Sequence, residues 1–188
     1  MNPDQIALIG FSASAQLALL AAGTPGVAAF SHTRAASTAG EAVNAVVAFF
    51  PPTRFQAGSE RAGGEAPASP AESLGPDITA DEMRNASPLT HLSAQFPPTM
   101  LLHGAADEVV PLATSQELFG MLRSLGVPAD LRLYTGLRHE FVRMDGVLEL
   151  CMADVALFLR RTMIDLDRFD VSQAELFGAP AAPGGGPR

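Results

Sequence analysis

A chain of 188 residues with 47% hydrophobic content can bury the core of one domain, and both figures suit a globular α/β protein. The formal net charge of −8 argues against a nucleic-acid binder, which needs a basic face, and against attachment to anionic membranes. The single cysteine, Cys151, excludes an intrachain disulfide. No apolar run approaches the ~18–20 residues of a membrane span, and no basic N-terminal region leads into an apolar stretch and cleavage site, so the expected location is the cytoplasm.

Residues 1–5 read as a turn, with Pro3 and Asp4 as turn residues, leading into a short apolar strand over 6–9. The tight cluster Gly10-Phe11-Ser12-Ala13-Ser14 follows, then an Ala/Leu-rich helix to about residue 22, with Gly23 as its stop and Pro25 beyond. Residues 24–42 are small and polar and read as loop, with His32 an exposed loop histidine. A second strand over 42–50 ends at Pro51-Pro52. Residues 53–76, rich in Gly, Ala, Pro, Ser and Glu, read as a flexible insertion, a surface loop in preference to a lid.

A short helix over 79–85 carries Thr79 as N-cap and Glu82 at the capping-box spacing. Ser87-Pro88-Leu89, leading to His91, reads as structural. The unbroken apolar strand over 99–103 should be buried on both faces. In the helix over 111–125, Pro111 fits the first turn, Leu118, Leu122 and Leu125 share a face, and Gly126 closes it. A fourth strand over 131–134 precedes a last helix over 147–163, with Val147, Leu150, Cys151, Val155, Phe158 and Leu159 at helical spacing; Cys151 there reads as buried packing. The domain spans 1–164, and the tail 165–188 loses periodicity, with its Gly/Pro/Ala-rich end expected to be disordered.

Strand, sharp turn with a central serine, helix is the context of a nucleophile elbow. The turn lifts the Ser12 hydroxyl above the strand end, and the free N–H of Ala13 faces any oxyanion formed there. Strand and helix approach closely in such a turn, so small residues are needed two before and two after the serine. Gly10 meets that need, and Ser14 stands where the G-x-S-x-G pattern has its last glycine. On its own the serine reads as a helix cap in preference to a nucleophile. Two later stretches add to it. His103-Gly104-Ala105-Ala106-Asp107-Glu108-Val109-Val110-Pro111 follows a strand and presents Asp107 in a turn, and Gly136-Leu137-Arg138-His139-Glu140-Phe141 follows the next strand and carries His139.

The order Ser12, Asp107, His139 with these patterns resembles the esterases and lipases of the α/β-hydrolase superfamily, in particular the small carboxylesterases related to hormone-sensitive lipase and to feruloyl and acetyl-xylan esterases. The resemblance implies Ser12 as nucleophile, His139 as base, Asp107 as the acid that orients it, and Ala13 N–H as an oxyanion donor. The D-x-x-V-P spacing favours Asp107 over Glu108; Glu140 reads as a solvated neighbour, and His103 as a residue shaping the acid loop. No His/Cys/Asp/Glu cluster has metal-ligand spacing, and there is neither a phosphate-cradling glycine loop before a lysine nor a dinucleotide fingerprint, so no metal or cofactor is expected.

Strand–helix alternation predicts parallel strands, four of them, in sequential order and flanked by helices. The resemblance implies a partial α/β-hydrolase fold. The first strands of the complete fold, and the HGG-type loop that supplies a second oxyanion donor, have no counterpart before Ser12. The elbow strand then lies at an edge, which predicts self-association as a homo-oligomer or poor stability. The expected substrate is a small ester, with short acyl or aryl groups. A serine peptidase of the prolyl-oligopeptidase type and a catalytically silent, truncated hydrolase fold are the alternatives.

Overall fold

The computed structural model describes residues 5–27, 30, 43–55, 74–75 and 77–169. Four strands, β1 (Ala7–Phe11), β2 (Ala45–Phe49), β3 (Thr99–Gly104) and β4 (Ala129–Tyr134), form one parallel sheet in the order β1-β2-β3-β4. This is the sequential order expected from the alternation. Position in the sheet sorts the strands: the central β2 and β3 are buried at every residue, as strands covered on both faces must be, whereas the outer β1 and β4 are partly exposed.

The helices divide between the two faces. On one, α1 (Ala13–Gly23) and α3 (Leu112–Ser124) pack Leu19, Leu118 and Leu122 against Val46, Ala48 and Leu101. On the other, α4 (Val147–Leu159) packs Cys151, Val155 and Phe158 against Val47, Phe49, Met100 and Leu102. Alternation of side chains along each strand feeds both cores at once. No helix among the described residues is long and apolar enough to cross a membrane.

The short helix α2 (Ala80–Ala86) starts as its sequence dictates. Glu82 N–H donates to Thr79 Oγ1 at 3.2 Å, and Thr79 N–H donates to Glu82 Oε2 at 2.9 Å. These bonds from Thr79 hold the Glu82 carboxyl below its ordinary pKa.

Several expectations need correction. Pairing of Phe11 with Phe49 extends β1 two residues beyond the apolar run 6–9. Pro111 is the N-cap of α3 and does not enter its first turn, and Leu125, past the last helical residue, is exposed. Leu150 is 74% exposed: it lies one residue before Cys151, about 100° away around the helix, so it faces outward while Cys151 faces the sheet. The last helix is regular only to Leu159 and widens into a π-helical segment, Arg160–Ile164. A short helix α5 (Leu166–Phe169) occupies the start of the expected aperiodic tail. His32, residues 56–73 of the insertion and the tail from 170 lie outside the described residues.

Among the described residues β1 has a strand neighbour on one side only, and Ile6, Ile9 and Phe11 are exposed. Asn44 N–H donates to Ile6 O and Ser12 N–H to Phe49 O, so even-numbered residues bond toward β2 and odd-numbered ones present their backbone to the open edge. At Phe11 that edge is occupied. Its N–H donates to Ser14 Oγ at 2.8 Å, and the Ser14 hydroxyl donates to its carbonyl at 2.8 Å.

Candidate active site

Ser12 sits between β1 and α1 with φ 51° and ψ −119°. This is a strained conformation for a residue with a side chain, and it costs about 1–3 kcal/mol that the surroundings must offset. The surroundings are visible. Ser12 N–H is bonded to Phe49 O at 2.9 Å, and its own carbonyl accepts from Ala15 and Gln16 N–H at 3.0 and 3.1 Å. A Cβ at Gly10 would overlap the Ser14 backbone, so the residue two before the serine has to be glycine. Two residues after it the serine is accommodated, because its hydroxyl turns back onto Phe11. Gln16, buried on α1, donates to Ala86 O at 2.8 Å and ties the helix to α2.

Asp107 is delivered by the turn after β3. Its Oδ1 accepts from the N–H groups of Val109 (2.9 Å) and Val110 (2.8 Å), which leaves Oδ2 for side chains. Val110 is buried and Pro111 is the N-cap of α3, which is how the V-P pair anchors the loop. His139 comes from the loop after β4, anchored by Phe141, buried against Phe50 (ring centroids 5.5 Å apart) and Tyr134 (5.1 Å). The two loops are tied together by Ala105 N–H to Tyr134 O and Ala106 N–H to Leu137 O, both 2.9 Å, and a Cβ at Gly104 would overlap the Leu137 carbonyl.

These anchors bring together three residues distant in sequence. His139 Nδ1 lies 2.7 Å from Asp107 Oδ2, and His139 Nε2 lies 3.0 Å from Ser12 Oγ. The carboxylate facing Nδ1 is an acceptor, so Nδ1 carries the hydrogen and, in the neutral ring, Nε2 is free to accept from the Ser12 hydroxyl. The Asp107 side chain is fully buried. Burial alone would raise its pKa, but hydrogen bonds from His103, His139 and the Val110 and Val109 N–H groups outweigh it and hold the carboxyl well below the ordinary carboxylate range. Ala13 is the first residue of α1, and its N–H has no acceptor among the described residues. Glu108 points elsewhere, to Arg138 at 3.1 Å, and Glu140 is exposed and pairs with Arg143 at 2.9 Å. No group of three or more His, Cys, Asp or Glu that could hold a metal occurs among the described residues.

Sequence reasoning did not find Phe50. It is 1% exposed, has φ 39°, and sets its ring edge-on to the His139 imidazole with centroids 4.6 Å apart. The three non-glycine residues with positive φ among those described are Ser12, Phe50 and Glu140, so backbone strain is concentrated around His139. The only local signal at Phe50 is Pro51-Pro52 after it, which marks the strand end but not the turn geometry.

Tyr134 shows what the ring packing costs. Its hydroxyl is buried without a hydrogen-bond partner among the described residues, and burial, then the Cys151 thiol and the Asp154 carboxylate, push its pKa up. Tyr134→Phe keeps the ring against Phe141 and removes the desolvated hydroxyl. It is expected to raise stability by about 1 kcal/mol in chemical denaturation; a loss of that size would show that the hydroxyl has a stabilising partner.

The BD-FAE family model matches residues 1–122, which include Ser12 and Asp107. Among solved structures, the chain superposes on Thermogutta terrifontis esterase 2 (TM-score 0.69, 23% identity, 85% of this chain and 57% of that one). It is similarly close to a truncated carbohydrate esterase from gut microbiota (0.66, 23%, 86% and 61%) and to an acetyl ester-xyloside bifunctional hydrolase from Caldicellulosiruptor lactoaceticus (0.66, 21%, 90% and 59%). A 68-residue stretch is 34% identical to the non-reducing polyketide synthase ausA of Penicillium brasilianum, covering 35% of this chain and 3% of that protein. The chain thus spans less than two thirds of the length of each of these relatives. With most of its length matched by the family model, the chain belongs to the BD-FAE family, and its sheet is part of an esterase-like α/β-hydrolase fold.

Proposed function

We propose that the chain carries the catalytic residues of a serine carboxylesterase acting on short-chain or aryl acyl esters. The observation that carries this reading is the continuous line Ser12 Oγ–His139 Nε2 (3.0 Å) and His139 Nδ1–Asp107 Oδ2 (2.7 Å), set on a strained strand-to-helix turn. Ser12 Oγ attacks the ester carbonyl carbon as its proton passes to His139 Nε2. Asp107 holds the imidazole in the required tautomer and stabilises the imidazolium. The oxyanion is stabilised by Ala13 N–H, a fixed dipole at the start of α1. The carbonyl re-forms as the ester C–O bond breaks, and His139 returns the proton to the departing alkoxide. Water, giving a proton to the same nitrogen, then attacks the acyl-serine; the bond from the acyl carbon to Ser12 Oγ breaks, the acid leaves and His139 returns the proton to Oγ. One structure of the Thermogutta esterase is described as propionate-bound and another as phosphonylated by sarin, which is in keeping with small acyl groups and a reactive serine.

The test is hydrolysis of p-nitrophenyl acetate and butyrate by the purified chain beside Ser12→Ala and His139→Ala. Hydrolysis is expected to fall to the uncatalysed rate in both variants. Equal rates in folded parent and variants would overturn the reading and leave a silent scaffold.

A further inference from the structure

His103 is the next-to-last residue of β3 and is completely buried. Both ring nitrogens have partners. Nδ1 lies 2.7 Å from Ser115 Oγ on α3, and Nε2 lies 3.0 Å from Val110 O and 3.3 Å from Asp107 Oδ2. Both groups facing Nε2 are acceptors, so Nε2 carries the hydrogen; in the neutral ring the Ser115 hydroxyl donates to Nδ1. The oxygen that Nε2–H leans toward is the one that receives His139 Nδ1–H.

We propose that His103 is a positioning residue whose Nε2–H, oriented by Ser115, shares Asp107 Oδ2 with His139 and sets how strongly that carboxylate holds the imidazole. The proposal rests on the triad reading of Ser12, His139 and Asp107. A carboxylate oxygen bonded by a second donor has less charge available to the first. Without His103 the Asp107 carboxylate attracts the His139 imidazolium more strongly, and His139 then gives up its proton only at higher pH. The same N–H holds Val110 O, so it also fixes the loop that aims Oδ1 at the Val109 and Val110 amides. The other charged groups on these loops are Glu108 with Arg138 and Glu140 with Arg143, two exposed pairs that neutralise one another. On this account the buried donor, rather than the surface charge, sets the acid limb of the rate profile.

The experiment is the pH dependence of kcat/KM for p-nitrophenyl acetate in the parent, His103→Leu, His103→Gln and Ser115→Ala, with His139→Ala alongside. His103→Leu is expected to move the acid limb up by roughly half a pH unit and to lower neutral-pH kcat/KM about 10-fold with KM unchanged. His103→Gln, whose amide nitrogen reaches the place of Nε2, is expected to restore the limb, and Ser115→Ala to move it less than His103→Leu. A folded His103→Leu with the parent's acid limb would overturn the proposal. A second measurement does not depend on any variant folding. Imidazole ¹⁵N spectra of the unsubstituted chain at neutral pH are expected to show His103 with hydrogen on Nε2, and a ring protonated at Nδ1 alone would overturn the proposal. Activity that survives in His139→Ala would instead remove the triad reading beneath it, a different outcome from an unmoved limb in an enzyme that needs His139.

Discussion

Asp107→Asn is expected to lower kcat/KM by roughly 10⁴-fold while the chain stays folded, an effect out of proportion to the exchange of one oxygen for one nitrogen. The reason is the direction of the hydrogen bonds. Val109 and Val110 donate their N–H groups to Oδ1, so an asparagine turns its carbonyl oxygen to that side. Its NH₂ then replaces Oδ2, facing His139 Nδ1 and His103 Nε2. A donor opposite Nδ1 favours the tautomer with hydrogen on Nε2, which aims N–H at Ser12 Oγ and leaves no base to take its proton. Steady-state kinetics measure the loss; a fall of less than 10-fold in a folded variant would mean that Asp107 does not set the tautomer. The same pair of chains reads acid stability. The folded pKa of Asp107 lies below that of an unfolded aspartate, ~3.9. Its ionised form therefore stabilises the fold fully above about pH 4, and that contribution disappears as pH falls through the folded value. The stability gap between parent and Asp107→Asn should be constant near neutrality and close as the solution is acidified below pH ~4.

Gly104→Ala is expected to lower stability by about 3 kcal/mol, roughly 10 °C in Tm, and to lower kcat/KM by about 10²-fold. The added methyl overlaps the Leu137 carbonyl, which is backbone and has no rotamer in which to move away. Relief comes only by separating the acid loop from the histidine loop, against the bonds from Ala105 to Tyr134 and from Ala106 to Leu137. That separation moves Asp107 and His139 apart, so the loss should appear in kcat as well as in Tm. Gly120→Ala is the control: it lies within α3 with nothing within 4 Å of the new methyl, and stability should hold or rise. A Gly104→Ala chain that melts with the parent would show that the two loops are free to shift.

Much of the fold was legible because its signals are local. The apolar run of β3 predicted burial on both faces, and the Thr79–Glu82 spacing predicted the cap of α2. The alternation of strand and helix predicted a parallel sheet in sequential order. The residue types of the site were legible in the same way, since Gly10, the V-P pair after Asp107 and Phe141 after His139 each shape the turn in which they stand. What failed was also local. Helical spacing grouped Leu150 with Cys151 and Val155, but a window of spacing does not say how wide a stripe the sheet can cover.

The sequence by itself determined the kinds of element, their order and the three side chains carried beyond the strand ends, because propensity, capping and periodicity act between residues a few positions apart. Only the tertiary structure decided that Ser14 could stand in place of a glycine by bonding Phe11, and that Phe50 packs against His139. It also decided that His103, Ser115 and Asp107 form one buried line. Each of these depends on distances of about 3 to 5 Å, most of them between segments brought together by the sheet, and no pattern along the chain encodes such a distance before the strands have paired.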